Sequence, residues 1–501
     1  MTAGGPVVIG VDVGTTSTKI VAYDASGARQ ANAERAYPLD EPRPGYAVQD
    51  PEVVLDAVLD GLAEAAASLR QRNVEIAGVA FSSAMHSLIG LDARGVPLTP
   101  SITWADLRAI DQAERLRRDP AGRDLHSHTG TPIHPMSPLM KLIWFREKEP
   151  ATAAAARRWV GIKEYVVEQM TGESVVDRSI ASATGLLDIE TATWWPPALH
   201  AAGVTDDQFP TVVPTDHRLP LKDAVASRLD LGGTPLIVGA GDGPLANLGA
   251  GAIRPGVAAC SVGTSGAIRV MVEDPGVDAH GRVFCYQLTE GRWAVGGAIS
   301  NGGVVLEWAG SALAPDVPGA DKERLIALAA QAPPGSDGLL MLPYLISERA
   351  PHWSPIARGA YIGLTRAHRR PHLIRAALEG VCQQLALVLE AVRQSGYQIG
   401  EIRATGGFLR DHFARSLLTD VFGSDVSFTA ATDGSAFGAA LLGMRALGLI
   451  ETLDVAADLV PIVETIRPDP DRAAVYRRQR SVFDGLFETL APTFRALYDM
   501  G

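Results

Sequence analysis

Residues 7–24, VVIGVDVGTTSTKIVAYD, decide the fold. Two β-rich runs are joined at Gly14-Thr15-Thr16, which is typical of a hairpin with a polar turn opened by glycine. Asp12 lies in the first run, where an ionised carboxylate among apolar side chains is costly unless a cation compensates for it. The turn offers backbone N–H groups to an anion, and Ser17 and Lys19 follow it closely. The segment suits either a phosphate turn beside a cation-binding Asp, or an ordinary hairpin whose strand ends in Asp.

A second copy of this hairpin lies about half the chain length further on. Residues 259–273, ACSVGTSGAIRVMVE, show the same order of strand, turn and strand, with Gly263-Thr264 at the turn. Such a repeat predicts two related halves, and two turns could hold a polyphosphate from both sides. We place the domains at 1–247 and 248–501, with a hinge near residues 247–256, where glycines and a proline interrupt the pattern.

Strand and helix patterns alternate around the hairpins. Asp50-Pro51 offers a cap and a first-turn proline to a run with helical periodicity, and IAGVAFSS at residues 76–83 reads as a buried strand. Further helical patterns cover residues 371–392 and 434–447 and begin again near residue 469. This alternation predicts an α/β protein.

Composition narrows the class of protein. The 501 residues include 45 basic and 57 acidic side chains, for a net charge of −12, and three cysteines. Two or three domains of an ordinary soluble protein fit this length and composition. The acidic balance argues against nucleic-acid binding, and no apolar run approaches the roughly 20 residues that cross a membrane. Because Cys260, Cys285 and Cys382 form no CxxC pair, we expect buried thiols, no zinc site and a cytoplasmic location.

Asp242 ends a second buried-strand pattern, TPLIVGAGD, and precedes Gly243-Pro244, which begin a helix pattern. One interpretation is structural, with Asp242 or Gly243 as the helix N-cap. The other is functional, because open α/β sheets place ligands at the carboxyl ends of their strands. There the carboxylate could accept the proton of an attacking hydroxyl. The spacing alone does not choose between them.

A group of polar and aromatic residues suits a polyol ligand. It comprises Met85-His86 and residues 104–108, WADLR. The Trp104 ring can pack on C–H groups, Asp106 and His86 can bind hydroxyls, and Arg108 can pair with a carboxylate. The structural alternative is a helix that starts here with Thr103 as its cap. The chain has no GxxxxGK[ST], HExxH or GxSxG motif and no GxGxxG after a strand, so a nucleotide site here would be of another kind.

These motifs together resemble the FGGY carbohydrate kinases. The resemblance rests on DVGTTSTK at 12–19, GTSG at 263–266, MSPLMKLIWFRE at 136–147 and GAYIGLTRAHRRPHLIRAALE at 359–379. It implies two actin-like ATPase domains of the ribonuclease H-like kind, with a central interdomain cleft. It also implies ATP and Mg²⁺ as cofactors and closure of the two halves over the substrates.

The resemblance assigns roles residue by residue. Asp242 is implied as the general base and Asp12, with Asp242, as a Mg²⁺ ligand. The implied phosphate and nucleotide contacts are Gly14, Thr15, Thr16, Ser17, Lys19, Gly263, Thr264, Gly406 and Gly407. The implied sugar contacts are Met85, His86, Trp104, Asp106, Arg108 and Asp242. Where the family commonly shows Trp-Arg-Gln, this chain has Ala414-Arg415-Ser416, so we expect a different adenine contact.

Within the family, xylulokinases share the Met-His and Trp-x-Asp patterns, but residues 130–136, GTPIHPM, are more similar to gluconokinases. The resemblance therefore implies phosphorylation of D-gluconate at its terminal hydroxyl. A ketose or polyol kinase such as xylulokinase is the nearer alternative, and an actin-like ATPase without sugar kinase activity the farther one. Lys141 and His134 are alternatives to Arg108 for the substrate carboxylate. The expected partner is a small sugar or sugar acid, with neither nucleic acid nor membrane, and a homodimer is one option for assembly.

Overall fold

The computed structural model describes residues 5–318, 321–430 and 433–500, and these divide into two compact units. Unit 1 comprises residues 5–255, 271–295 and 433–460. Unit 2 comprises residues 256–270, 296–318, 321–430 and 461–500. Helices and strands alternate throughout, which confirms the α/β prediction.

The strands before residue 256 are β1 (Val7–Val13), β2 (Ser17–Asp24), β3 (Arg29–Ala36), β4 (Val48–Gln49), β5 (Ile76–Ser83), β6 (Ile89–Leu91), β7 (Ser101–Ile102), β8 (Arg158–Val160), β9 (Val175–Asp177), β10 (Leu187–Asp188), β11 (Thr193–Trp194), β12 (Thr211–Val213), β13 (Arg218–Leu219) and β14 (Leu236–Gly241). The helices of this part are α1 (Pro51–Gln71), α2 (Ile110–Arg118), α3 (Pro120–Thr129), α4 (Pro138–Lys148), α5 (Pro150–Ala155), α6 (Ile162–Thr171), α7 (Arg178–Ser182), α8 (Pro196–Ala202), α9 (Asp223–Leu229) and α10 (Asp242–Gly249).

The later strands are β15 (Val257–Val262), β16 (Gly266–Val272), β17 (Phe284–Thr289), β18 (Arg292–Ile299), β19 (Leu340–Leu342), β20 (Ala360–Ile362), β21 (Glu401–Thr405), β22 (Val426–Thr429) and β23 (Ile462–Ile466). The later helices are α11 (Val304–Leu313), α12 (Lys322–Ala329), α13 (Arg370–Gln394), α14 (His412–Phe422), α15 (Gly434–Leu447), α16 (Ala456–Leu459) and α17 (Pro470–Met500). The boundary between the units falls within β16 and β18.

Unit 1 is built on a six-stranded sheet in the order β13-β14-β5-β1-β2-β3. The predicted hairpin is confirmed, because β1 pairs antiparallel with β2 from Val7↔Asp24 to Val13↔Thr18. Strand β1 pairs in parallel with β5, and β5 with β14, so the carboxyl ends of these three strands meet at one edge. Apolar residues of α1 and alternate residues of β1 share one core. Helix α1 begins as predicted, with the Asp50 side chain accepting from Glu52 N–H.

Helix α15 is distant in sequence from the first sheet but packs on β1 and β5 within unit 1. Two glycines permit this close approach. A Cβ on Gly10 would lie 2.0 Å from the Ala436 carbonyl oxygen, and one on Gly443 would lie 2.8 Å from side-chain atoms of Val8 and Ala80. The helix itself matches the predicted range, whereas its place on the first sheet was not foreseen.

Unit 2 repeats the pairing scheme of unit 1. Strand β15 is antiparallel to β16 and parallel to β21, β21 is parallel to β22, and β22 is antiparallel to β23. The strands β2, β1, β5, β14 and β13 are paired in the same way. The second hairpin and the internal repeat are therefore confirmed.

The structure also confirms the predictions for two later helices and for the cysteines. Helix α13 covers the pattern predicted at 371–392, and α17 begins close to the expected residue 469. All three cysteines are buried and free. A membrane crossing would require a longer or more apolar helix than any in the described part of the chain.

Candidate active site

Two carboxylates lie near each other at the carboxyl ends of the first sheet, close enough to interact electrostatically. Asp12 lies in β1, and its Oδ1 accepts a hydrogen bond of 2.8 Å from Ser82 Oγ. Burial, and next the negative charge of Asp242, raise the pKa of Asp12 to about 6. Asp242 is the first residue of α10, and its Oδ1 accepts from Gly243 N–H at 2.7 Å. Gly241 is the N-cap residue, so the alternative that Asp242 or Gly243 is the N-cap was wrong.

This pair fits a magnesium ion. Oxygen donors suit Mg²⁺, which proteins commonly hold through one or two carboxylates together with substrate phosphates. A cation between Asp12 and Asp242 would relieve the repulsion that raises the pKa of Asp12. Among the described residues, His, Cys, Asp and Glu side chains form no group of three or more that could hold a metal. A magnesium ion held by Asp12 and Asp242 would therefore also need oxygen atoms of the substrate phosphates.

The first Gly-Thr turn presents backbone N–H groups. Gly14 N–H donates to Ser17 O at 2.9 Å and closes the turn. Gln49 Nε2 donates to the Thr15 carbonyl at 2.7 Å, which holds the turn from its carbonyl side. The N–H groups of Thr15 and Thr16 have no hydrogen-bond partner within the described ranges. The turn can therefore donate hydrogen bonds to an anion such as a phosphate.

The other two polar residues predicted at this turn have protein partners. Ser17 Oγ donates to Glu34 Oε1 at 2.9 Å. Lys19 Nζ lies 4.0 Å from Asp433 Oδ1, and its side chain is 43% exposed, so it could still reach a ligand. Their contact with phosphate stays a prediction.

The second turn, in unit 2, has the same construction. Gly263 N–H donates to Ser265 O at 2.8 Å, and the N–H groups of Thr264 and Ser265 have no partner in the part of the chain described here. Gly302 N–H and Gly303 N–H donate to the Thr264 and Gly263 carbonyls at 3.1 and 2.7 Å. The sequence analysis missed this supporting glycine pair, although its position just before α11 is a usable signal.

A cavity of about 250 Å³ in unit 2 is lined in part by Gly406 and Gly407, the predicted nucleotide contacts. Gly406 has φ +123°, and a Cβ there would lie 2.2 Å from the Val262 carbonyl oxygen, so only glycine fits. A Cβ on Gly407 would meet nothing within 4 Å, which leaves room for a ligand to approach the backbone. Arg415 borders the cavity and is held by the Leu409 carbonyl and Glu464, both at 2.7 Å.

Asp106 and Arg108 form a buried ion pair in unit 1. Arg108 Nε and Nη2 each donate at 2.8 Å, to Asp106 Oδ1 and Oδ2 respectively. Asp106 Oδ2 also accepts from Ala47 N–H at 2.8 Å, and Oδ1 from Arg108 N–H at 3.0 Å. The side chains are 0% and 7% exposed. The structure therefore gives Arg108 a protein carboxylate as its partner.

Met85 and His86 follow β5, and Met85 lies beside the end of β14, next to Asp242. His86 has φ +69°, and its ring is oriented by a contact of 2.8 Å between Nδ1 and the Ala183 carbonyl oxygen. The Met85 side chain occupies the space that a Cβ on Gly241 would need. Lys141 is fully buried and donates to the His86, Ile102 and Thr103 carbonyls, and burial lowers its pKa to about 7.

Trp104 connects the predicted sugar residues to the first turn. Its indole Nε1 donates to Thr15 Oγ1 at 2.9 Å. The alternative of a helix start here was wrong, because α2 begins at Ile110 with Ala109 as N-cap, and Thr103 Oγ1 donates instead to the Ala47 carbonyl at 2.9 Å. No sequence pattern predicted the contact between Trp104 and Thr15.

The paired hairpin units, each with a Gly-Thr turn, define the class: the protein has the actin-like ATPase fold of ribonuclease H-like units and carries a site suited to phosphoryl transfer. Residues 7–249 match the N-terminal domain of the FGGY family of carbohydrate kinases, and residues 258–447 match its C-terminal domain. The chain belongs to this family, and it is a sugar kinase.

Similar proteins include both gluconate and xylulose kinases. A gluconokinase of Bacillus subtilis (strain 168) is 38% identical over 98% of this chain and 97% of its own length. The crystal structure of gluconate kinase from Lactobacillus acidophilus matches with a TM-score of 0.93 at 34% identity, covering 98% of this chain and 99% of that one. A ligand-bound xylulose kinase from the same organism also matches with a TM-score of 0.93 at 34% identity, over 98% and 100% of the two chains.

Proposed function

We propose that the protein transfers the γ-phosphoryl group of ATP to the C6 hydroxyl of D-gluconate, giving 6-phosphogluconate. The observation that carries the proposal is the pair of neighbouring carboxylates, Asp12 and Asp242, beside a turn with free N–H groups. The choice of gluconate rests on the likeness to the Bacillus subtilis gluconokinase. We keep the predicted domains, 1–247 and 248–501, and a cytoplasmic location as part of the same proposal.

Asp242 would serve as the general base. It accepts the proton of the C6 hydroxyl as that oxygen attacks the γ-phosphorus, and a base of this kind contributes about 10²–10⁴-fold to the rate. Asp12 and Asp242 would hold Mg²⁺, which neutralises phosphate charge when bound. Asp12 is suited to a cation site because it is buried, and among the described residues no cationic side chain donates a hydrogen bond to it.

The two turns would stabilise the phosphates. Thr15 and Thr16 from unit 1, and Thr264 and Ser265 from unit 2, each offer an N–H group at a polar, partly exposed position. Phosphoryl transfer needs positioning and charge stabilisation more than a covalent nucleophile, and preorganised N–H donors supply both. The Gly406-Gly407 backbone would receive the adenosine. His86 and Asp106 would bind sugar hydroxyls, and the Trp104 ring would pack on C–H groups of the sugar.

A ketopentose such as xylulose is the second candidate substrate, and one observation favours it. Gluconate carries a carboxylate, but two of the three basic residues predicted to meet it are engaged with protein groups: Arg108 with Asp106, and Lys141 with three carbonyls. A neutral sugar would need no cationic partner. The likeness to xylulose kinase is compatible with this alternative.

The test is ADP release by the purified protein with ATP and Mg²⁺, supplied in turn with gluconate, xylulose, ribulose, glycerol or no sugar. We expect turnover on gluconate to exceed turnover on every other acceptor. Preference for xylulose or ribulose would overturn the substrate, and hydrolysis that does not depend on a sugar would overturn the assigned reaction.

A second arm tests the base. Asp242→Asn should lower kcat by about 10²–10⁴-fold while nucleotide binding remains. The exposed carboxylate Asp111 provides the matched control, because Asp111→Asn makes the same chemical change away from the site. Near-normal turnover by Asp242→Asn would exclude Asp242 as the base.

A further inference from the structure

The short helix α7 lies next to two parts of the proposed site in unit 1, the strand end before Asp242 and the His86 ring. Its Ser179 Oγ accepts a hydrogen bond of 3.1 Å from Gly241 N–H, and Gly241 is the residue that precedes Asp242. The Ala183 carbonyl, just after the helix, holds the His86 ring through Nδ1. Helix α7 and the residue that follows it therefore contact both the strand end next to Asp242 and the His86 ring, the proposed base and a proposed sugar contact.

The point of contact at Gly241 is tightly constrained. Gly241 ends β14 and caps α10, and the Met85 side chain fills the space beside its Cα. Ser179 is fully buried, so its hydroxyl is shielded from water where it accepts the hydrogen bond from this amide. Because the Asp242 backbone follows directly, any movement of Gly241 moves the carboxylate as well.

Helix α7 is itself fixed by a buried ion pair. Asp177 Oδ1 caps the helix by accepting from the N–H groups of Ser179 and Ile180 at 2.9 and 3.0 Å. Its other oxygen, Oδ2, lies 2.5 Å from Lys163 Nζ, and these two side chains are 0% and 1% exposed. Buried ion pairs contribute little net stability, but they favour one geometry. The cap and the ion pair together hold the start of α7, which carries Ser179.

We propose that Ser179 is a positioning residue for Asp242, acting through the Gly241 amide. The inference rests on the proposed role of Asp242 as general base. Removal of the hydroxyl leaves a buried N–H group without its acceptor and lets the end of β14 shift. A misplacement of about 1 Å at a reacting group can cost about 10²-fold in rate.

The experiment compares Ser179→Ala with a matched variant on the same helix, Ser182→Ala. Ser182 is equally buried; its Oγ accepts from a different amide, Gln287 N–H, at 3.0 Å and donates to the Ser179 carbonyl at 2.8 Å, so Ser182→Ala disturbs the same helix but keeps the Ser179 hydroxyl. We expect Ser179→Ala to lower kcat by about 10- to 100-fold with the KM for ATP nearly unchanged, and Ser182→Ala to keep most of the wild-type kcat. A merely structural role would lower kcat alike in both.

The result that overturns the proposal is a Ser179→Ala enzyme with wild-type kcat, or an equal loss of kcat in Ser182→Ala. Asp242→Asn, measured in parallel, separates this from failure of the proposed function: if that variant keeps its turnover, the base assignment fails. If Ser179→Ala does not fold, Ser179→Cys takes its place with the same expectation, because a thiol is a weak acceptor.

Discussion

Arg108→Ala would show whether the buried ion pair beside the sugar residues is structural. Arg108 donates two hydrogen bonds of 2.8 Å to the two oxygens of Asp106, which is fully buried. Its guanidinium carbon also lies 4.2 Å from the ring centroid of Tyr46 and 5.1 Å from that of Trp144. The substitution removes the charge partner and both ring contacts, and it leaves the Asp106 carboxylate buried.

The expected cost follows from this geometry. Removing one partner of a buried ion pair costs about 3–5 kcal/mol. Asp106 keeps hydrogen bonds from the N–H groups of Ala47 and residue 108, so we expect the lower end, about 3 kcal/mol. Asp106→Asn should destabilise by a similar amount. The double variant should lose about 1–3 kcal/mol less stability than the two single variants together, because each single variant already breaks the shared contact.

The assay is urea unfolding of the wild type, the two single variants and the double variant, together with kcat and KM on gluconate and on the best neutral sugar. If the ion pair is structural, stability falls and both sugars are affected alike. The reasoning is refuted if Arg108→Ala unfolds at the wild-type urea concentration and raises only the KM for gluconate. That result would mean that Arg108 binds the substrate carboxylate, as the sequence first indicated.

Three further predictions concern other parts of the chain. Gly406→Ala should raise the Kd for ATP by about tenfold or more, because a Cβ would lie 2.2 Å from the Val262 carbonyl oxygen and about 1.4 kcal/mol of strain is enough for that change. Calorimetric titration with ATP would check this, and an unchanged Kd would contradict it. Burial raises the pKa of Glu164 to about 7, above its ordinary value of 4.5, so stability falls as pH rises from about 4.5 to about 7. Glu164→Gln should therefore gain stability over the wild type between pH 5 and pH 8, by up to about 3 kcal/mol, and thermal melts with a constant difference would contradict this. Trp104→Phe loses the hydrogen bond to Thr15 Oγ1, worth about 1 kcal/mol, and should raise the KM for ATP several-fold; an effect on the sugar KM alone would exclude the link.

The fold could be predicted wherever the signal was local. Alternation of apolar residues and a Gly-Thr turn identify both hairpins, and the repeat predicts the shared pairing scheme. The place of α15 could not be predicted in the same way. Its sequence specifies a helix rich in small residues, but its packing on the first sheet depends on complementarity between Gly10 and the Ala436 backbone, which no periodicity encodes.

The candidate site shows the same limit more sharply. The motifs single out the positively charged residues Arg108 and Lys141. A positive charge near a sugar site can bind the substrate, or it can bind other groups of the protein. Lys141 donates to three backbone carbonyls, and carbonyl acceptors leave no trace in a sequence. Arg108 pairs with a carboxylate only two positions away, so a local alternative existed in the sequence itself. If both cations serve the protein, selectivity for a sugar acid must come from neutral donors or from other residues, and the contrast between gluconate and a neutral sugar in the Arg108→Ala enzyme decides between these cases.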